Sequence, residues 1–134
     1  MILRYQKFIA RADLRANSDT IYVFGDNLEE SGYGGQAAEM RGEPNALGIP
    51  TKRSPSAYLQ DQDLRRLAFS YHHHFGRLNE HLKKGREIVF PSDGIGTGLA
   101  DLQRQSPLCW ALLQLFMTDF INTVEQRKKE LQDV

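Results

Sequence analysis

The residues best suited to chemistry in this 134-residue chain are the six of Asp93-Gly94-Ile95-Gly96-Thr97-Gly98, with glycine at alternate positions. Glycine bares its backbone N–H and lets a ligand approach with no Cβ in the way. Such a loop, placed after a strand and before a helix, is how α/β proteins hold phosphate. A stretch of the same design lies earlier. It runs from Gly25 to Gln36, carries four glycines, and has Asp26 and Asn27 near its start. Two anion-cradling loops suit a diphosphate better than a single phosphate. Neither is the lysine-bearing loop of nucleotide hydrolases, because Gly94 to Gly98 lacks a Gly-Lys-Ser/Thr ending. The dinucleotide fingerprint also fails, since no glycine sits three residues after the second glycine of a Gly-x-Gly following the strand. The backbone itself must therefore hold the ligand, without an obligatory metal or lysine.

Each loop needs a strand before it and a helix after it. Ile88 to Phe90 is a short apolar run that fits a brief buried strand, stopped at Pro91, which cannot donate to a ladder. Thr20 to Phe24 is the clearest strand, β-branched and aromatic, and its continuous apolar character predicts burial on both faces. Residues 2–9 read as a strand. Residues 10–19 read as a connection with room for one helical turn. Gln36 to Arg41 is helix material with Gly42 as its C-cap. Leu47 to Pro50 fits a short strand, and residues 51–60 read as loop. From Leu64, apolar residues at three- and four-residue steps (Leu67, Ala68, Tyr71, Phe75, Leu78, Leu82) predict a helix ended by Gly85. Ser106-Pro107 is a helix start, with serine as N-cap and proline at the first position. The helix runs to about Leu131, and its charged end, about residues 125–134, is expected to protrude. Strands alternating with helices predict a single domain over residues 1–134, an α/β or α+β sandwich with its sheet covered by helices.

Acidic and basic residues number 17 each, so there is no global field for nucleic acid or an anionic membrane. Cys109, the single cysteine, is expected to be a small core residue. No window is long and apolar enough for a membrane span. The first residues carry no signal-peptide run. A cytoplasmic protein is expected. His72, His73 and His74 point in three directions on a helix, and no cluster completes a site with His81, so no metal is expected. No cofactor is expected either.

At this level of detail the chain resembles a known family. Ile88 to Pro91 followed by Gly94 to Gly98 is similar to the second signature of macro domains, which bind ADP-ribose. Val23 to Ala38 is similar to the first, a strand ending in asparagine, then a glycine-rich loop, then a helix. Ala12-Asp13-Leu14 stands where the family carries its adenine-recognising aspartate, fourteen residues before Asn27. The resemblance spans roughly residues 7–124.

It implies a three-layer α/β/α sandwich with a mixed central sheet, binding ADP-ribose or a related nucleotide derivative, with an ADP-ribosylated macromolecule as a further partner. Asp13 would accept from the adenine amine, and the backbone of Leu14 would lie against the ring. Asn27 would bond the distal ribose. Tyr33, Gly34, Gly35 and Gln36 would follow the ribose and diphosphate. Ser92, Gly94, Ile95, Gly96, Thr97, Gly98 and Leu99 would wrap the diphosphate, and a side chain at Gly96 would fill its seat.

Two departures matter. Phe24-Gly25-Asp26 replaces the usual asparagine and two alanines, and Gln36-Ala37-Ala38 stands where hydrolytic members often carry an aspartate. Hydrolysis, of an ADP-ribosyl bond or of ADP-ribose-1″-phosphate, would then rest on Asn27 with Asp26, Glu29 or Glu30. Lys52 and Arg53 read as a solvated loop. The remaining alternative is an interaction domain without a nucleotide ligand.

Overall fold

A computed structural model describes residues 2–133 of the chain. Its spine is strand β2, Ile21–Asn27. Alternate side chains of a strand leave by opposite faces, and both faces of β2 are covered. Ile21 and Val23 enter one apolar core, and Tyr22 and Phe24 enter the other. The expectation of burial on both faces holds.

The other strands are β1 (Leu3–Gln6), β3 (Ala46–Ser54), β4 (Ala57–Tyr58) and β5 (Ile88–Pro91). Across the sheet the order is β1-β5-β2-β3-β4. The first four strands are parallel, and β4 is antiparallel to β3. The helices are α1 (Arg11–Ala16), α2 (Ala37–Met40), α3 (Leu64–Lys83), α4 (Leu102–Gln105) and α5 (Pro107–Gln132). Residues of α3, α4 and α5 share the first core with Ile88 and Phe90. Leu14 of α1 and Ala37 and Met40 of α2 share the second with Val89. The molecule is a three-layer α/β/α sandwich around a mixed sheet, as expected.

Topology explains why the helices divide this way. The chain moves in one direction across the sheet from β1 to β2 to β3, with α1 and α2 on one face. It returns from β4 to β5 in the other direction. Crossovers of one hand require a change of face when direction reverses, so α3 lies on the other side. The chain leaves β2 toward one face and neighbouring β5 toward the other. Those two strands therefore form a switch point, the place where open α/β sheets bind ligands.

Several local readings hold. Ser106 Oγ accepts from the Cys109 N–H at 3.2 Å, with Pro107 behind it. Gly85, at φ +78°, closes α3: its N–H donates to Leu82 O and that of Arg86 to His81 O, leaving few last-turn carbonyls unmet. Cys109 is buried. From Glu125 onward α5 is largely exposed.

Others need correction. The connection over residues 10–19 holds α1, six residues long, somewhat more than the single turn expected. Residues 51–60 are not all loop: β3 continues to Ser54 and, after a turn, β4 takes up Ala57–Tyr58. Their polar side chains hid a strand whose backbone is paired with β2, and Thr51 is buried, donating to Asp26 O at 3.3 Å. α4 is too short for periodicity to reveal. No described helix is long and apolar enough to cross a membrane.

Candidate functional site

Both glycine loops leave the carboxyl end of the sheet from neighbouring strands, β2 and β5. Their backbones are open. Among the described residues, the N–H groups of Gly32, Tyr33, Gly34, Gly35 and Gln36 meet no protein acceptor. The same is true of Ile95, Gly96, Thr97, Gly98 and Leu99. Most backbone donors are spent within the fold, so two such runs at one sheet end are distinctive. Nothing lies within 4 Å of the space a side chain would take at Gly34, Gly35 or Gly98.

Gly25, near the exit of β2, lies against the second loop. It is exposed, although it lies within the central strand. A Cβ there would meet Thr51 Oγ1 at 3.4 Å, Ile95 Cβ at 3.9 Å and the Gly96 nitrogen at 4.0 Å. Any larger side chain would stand over the exposed end of β2, beside the second loop.

Gly96 differs from its expected role. Its φ is +80°, and a Cβ would press on Leu102 at 3.3 Å and on Leu113 and Trp110 at 3.4 Å. Its side-chain direction faces the core rather than an anion seat. Ile95 also buries its side chain in the core. Only the backbone of these two residues is available to a ligand.

Asp13 lies at the same sheet end. Its Oδ2 accepts from the Ala10 N–H at 2.9 Å, capping α1, and from Gln6 Nε2 at 3.0 Å. Gln6 O in turn accepts from the Ser92 N–H at 3.0 Å. This chain of contacts ties Asp13 to the loop after β5. Leu14 is buried, and its carbonyl accepts from Asn45.

Asn27 is engaged in its own turn. Its Oδ1 accepts from the N–H of Glu29 at 3.0 Å, and its Nδ2 donates to Ser31 O at 2.8 Å. Asp26 is buried and paired with Arg41: Nη2 to Oδ1 at 2.5 Å and Nη1 to Oδ2 at 3.3 Å. Arg41 also donates to the carbonyls of Ser31 and Gly32, at 3.1 and 2.6 Å. It thus clamps the first loop onto the end of β2. The sequence reading missed this residue, because an arginine at a helix end carries no signature of its distant partner.

Tyr33 and Leu99 stand out from the two loops at 68% and 90% exposure. Phe8, after β1, is 66% exposed at the same end and also escaped the sequence reading. The Oε1 of Gln36 is buried without a partner. Thr97 Oγ1 donates to Asp93 O at 3.1 Å, bracing the second loop. Lys52 donates to Pro55 O and Arg53 pairs with Asp63 at 2.9 Å, so both are committed to the fold. Among the described residues, no three His, Cys, Asp or Glu side chains are grouped to hold a metal.

The fold and site define a three-layer α/β protein with two glycine loops at the switch point of its sheet. The model of a family of unknown function, DUF7831, matches residues 4–116, and the chain belongs to that family. No curated protein and no solved structure matches the chain.

Proposed function

We propose that the crevice binds ADP-ribose or a related ADP-ribosyl or nucleotide derivative. The observation that carries this reading is the pair of unspent N–H runs, Gly32–Gln36 and Ile95–Leu99, on neighbouring parallel strands. Two runs of donors offer the two phosphates of a diphosphate a seat each without a metal. Asp13 adds an acceptor for an adenine amine, and Gly25 leaves the end of β2 clear. The motif resemblance to macro domains supplies the adenosine and ribose. Asn27 serves the site by closing the turn that presents the first loop.

Binding is preferred to hydrolysis. Of the carboxylates that could orient a water, Asp26 is buried against Arg41, which leaves that role to the exposed Glu29 and Glu30 alone. Calorimetry with ADP-ribose, AMP and pyrophosphate tests the reading. Saturable heat is expected for ADP-ribose, weaker for the two fragments. No heat at millimolar ADP-ribose would leave the loops as turns in an interaction domain. Release of ADP-ribose from a modified protein, or of phosphate from ADP-ribose-1″-phosphate, would move the assignment to a hydrolase.

A further inference from the structure

The zero net charge of the chain hides a segregation. Residues 64–86, which hold α3, carry six of the 17 basic residues and one of the 17 acidic ones. Arg66, His73, Arg77 and Lys84 follow one another at helical spacing, so they form one stripe, and all four are exposed. At 1.5 Å per residue the stripe is about 27 Å long. Arg65 stands beside it, also exposed. Lys83 pairs with Glu80 at 3.5 Å, and Arg86 donates to His81 Nδ1 at 3.0 Å. α3 has no other acidic residue to offset the rest.

Two features of this face go against what a helix prefers. Arg65 and Arg66 lie in the first turn, where the positive end of the dipole repels cations, and no acidic residue accompanies them. Gly76 sits in the middle of α3, where glycine is the least favourable residue after proline. No neighbour requires it, because a Cβ there would meet nothing within 4 Å. Local rules broken without a gain in packing mark functional positions. With His72, His73, Arg77 and Lys84, Gly76 borders a shallow depression of about 570 Å³.

Phe69 adds an aromatic ring. It is 79% exposed, the one large apolar side chain that α3 exposes among the described residues. It stands three residues from Arg66 and four from His73, hence between them on the helix surface. A helix that lies on a membrane needs a broad apolar face, and a single phenyl ring does not make one. A cationic track with an exposed ring suits a single-stranded nucleic acid: the phosphates follow the cations, and an unpaired base stacks on the ring.

We propose that the outer face of α3 binds a single-stranded nucleic acid, with Arg65, Arg66, Arg77 and Lys84 on phosphates and Phe69 against a base. The proposal uses no residue of the glycine loops and does not depend on the nucleotide reading.

Labelled single strands of about 20 nucleotides, oligouridylate and oligothymidylate, are titrated with the full chain at about 50 mM salt and followed by fluorescence anisotropy. Saturable binding is expected, and the tighter of the two tells RNA from DNA. Four phosphate contacts predict a loss of about fifty-fold in affinity when salt rises fourfold. Arg77→Gln should weaken binding and lessen this salt dependence. Phe69→Ala should weaken it about fivefold or more and leave the salt dependence unchanged. Gly76→Glu should weaken it about tenfold or more without lowering the melting temperature, since a helix prefers glutamate to glycine. The proposal is overturned if neither strand binds, if a duplex of the same length binds as tightly, or if Phe69→Ala and Gly76→Glu leave the affinity unchanged. Binding to phosphatidylserine vesicles in place of the strands would also overturn it, and would make this a membrane-facing surface.

Discussion

The backbone of Gly25, near the end of β2, lies against that of Gly96, in the loop after β5: a Cβ on the first would stand 4.0 Å from the nitrogen of the second. Two glycine stretches about seventy residues apart in sequence thus meet where neighbouring parallel strands send their following helices to opposite faces.

This contact makes Gly25 the most direct position for blocking the crevice. Its φ is not in the left-handed region, so a strand residue such as valine fits its backbone. Gly25→Val should lower ADP-ribose affinity by about tenfold or more, with little change in melting temperature. Undiminished binding in calorimetry would move the ligand away from this position.

Gly34 and Gly96 should part ways when substituted. Gly34 has open space and no left-handed φ, so Gly34→Glu should abolish diphosphate binding and leave thermal stability intact. Gly96→Ala should instead destabilise. The left-handed conformation costs an alanine about 1–2 kcal/mol, and its Cβ meets Leu102 at 3.3 Å. Thermal melts that rank the two variants the other way would refute this orientation of the second loop.

Asp13 has two duties, and two substitutions separate them. Asp13→Ala removes the α1 cap and any adenine contact, and should lose about 1–3 kcal/mol of binding together with stability. Asp13→Asn keeps an oxygen for the Ala10 N–H and should recover most of the stability. If Asp13→Ala binds ADP-ribose as tightly as the parent chain, the carboxylate is a cap alone.

Asp26 is buried and its partner Arg41 mostly so, their side chains 5% and 15% exposed. Removing one partner strands the other charge, at a cost of about 3–5 kcal/mol. Asp26→Asn and Arg41→Met should each lower the denaturation midpoint strongly, and the double variant should lose less than the sum. Additive losses in urea titrations would show that the two side chains are not coupled.

Stability should fall as pH drops from about 7 to 5. Burial lowers the pKa of His74 from 6.5, and burial with the neighbouring Arg86 lowers that of His81. Below 6.5 the unfolded chain therefore binds protons that the folded chain does not. The contribution is full above the unfolded value and lost as pH falls through the folded one. His74→Gln should flatten this dependence. An unchanged slope of melting temperature against pH would exclude His74 as a source.

Much of the frame is legible in the chain itself. The apolar run of β2, the stripe of α3, the Ser106-Pro107 start of α5 and the two glycine stretches are local patterns, because burial and capping act through residues near in sequence. β3 was half hidden. Thr51 to Ser54 are polar, and only backbone pairing to β2 and β4 makes them strand.

The site divides the same way. Residue types alone showed that Gly32–Gln36 and Gly94–Gly98 could bare their N–H groups. Tertiary structure decided the rest: that Gly96 turns its missing side chain to the core, that Asp26 is spent on Arg41, that Gly25 lies against the loop after β5, and that His74 is buried with an unpartnered nitrogen. Each depends on a partner far away in the chain, and a side chain's freedom to act is set by which neighbours the fold brings to it.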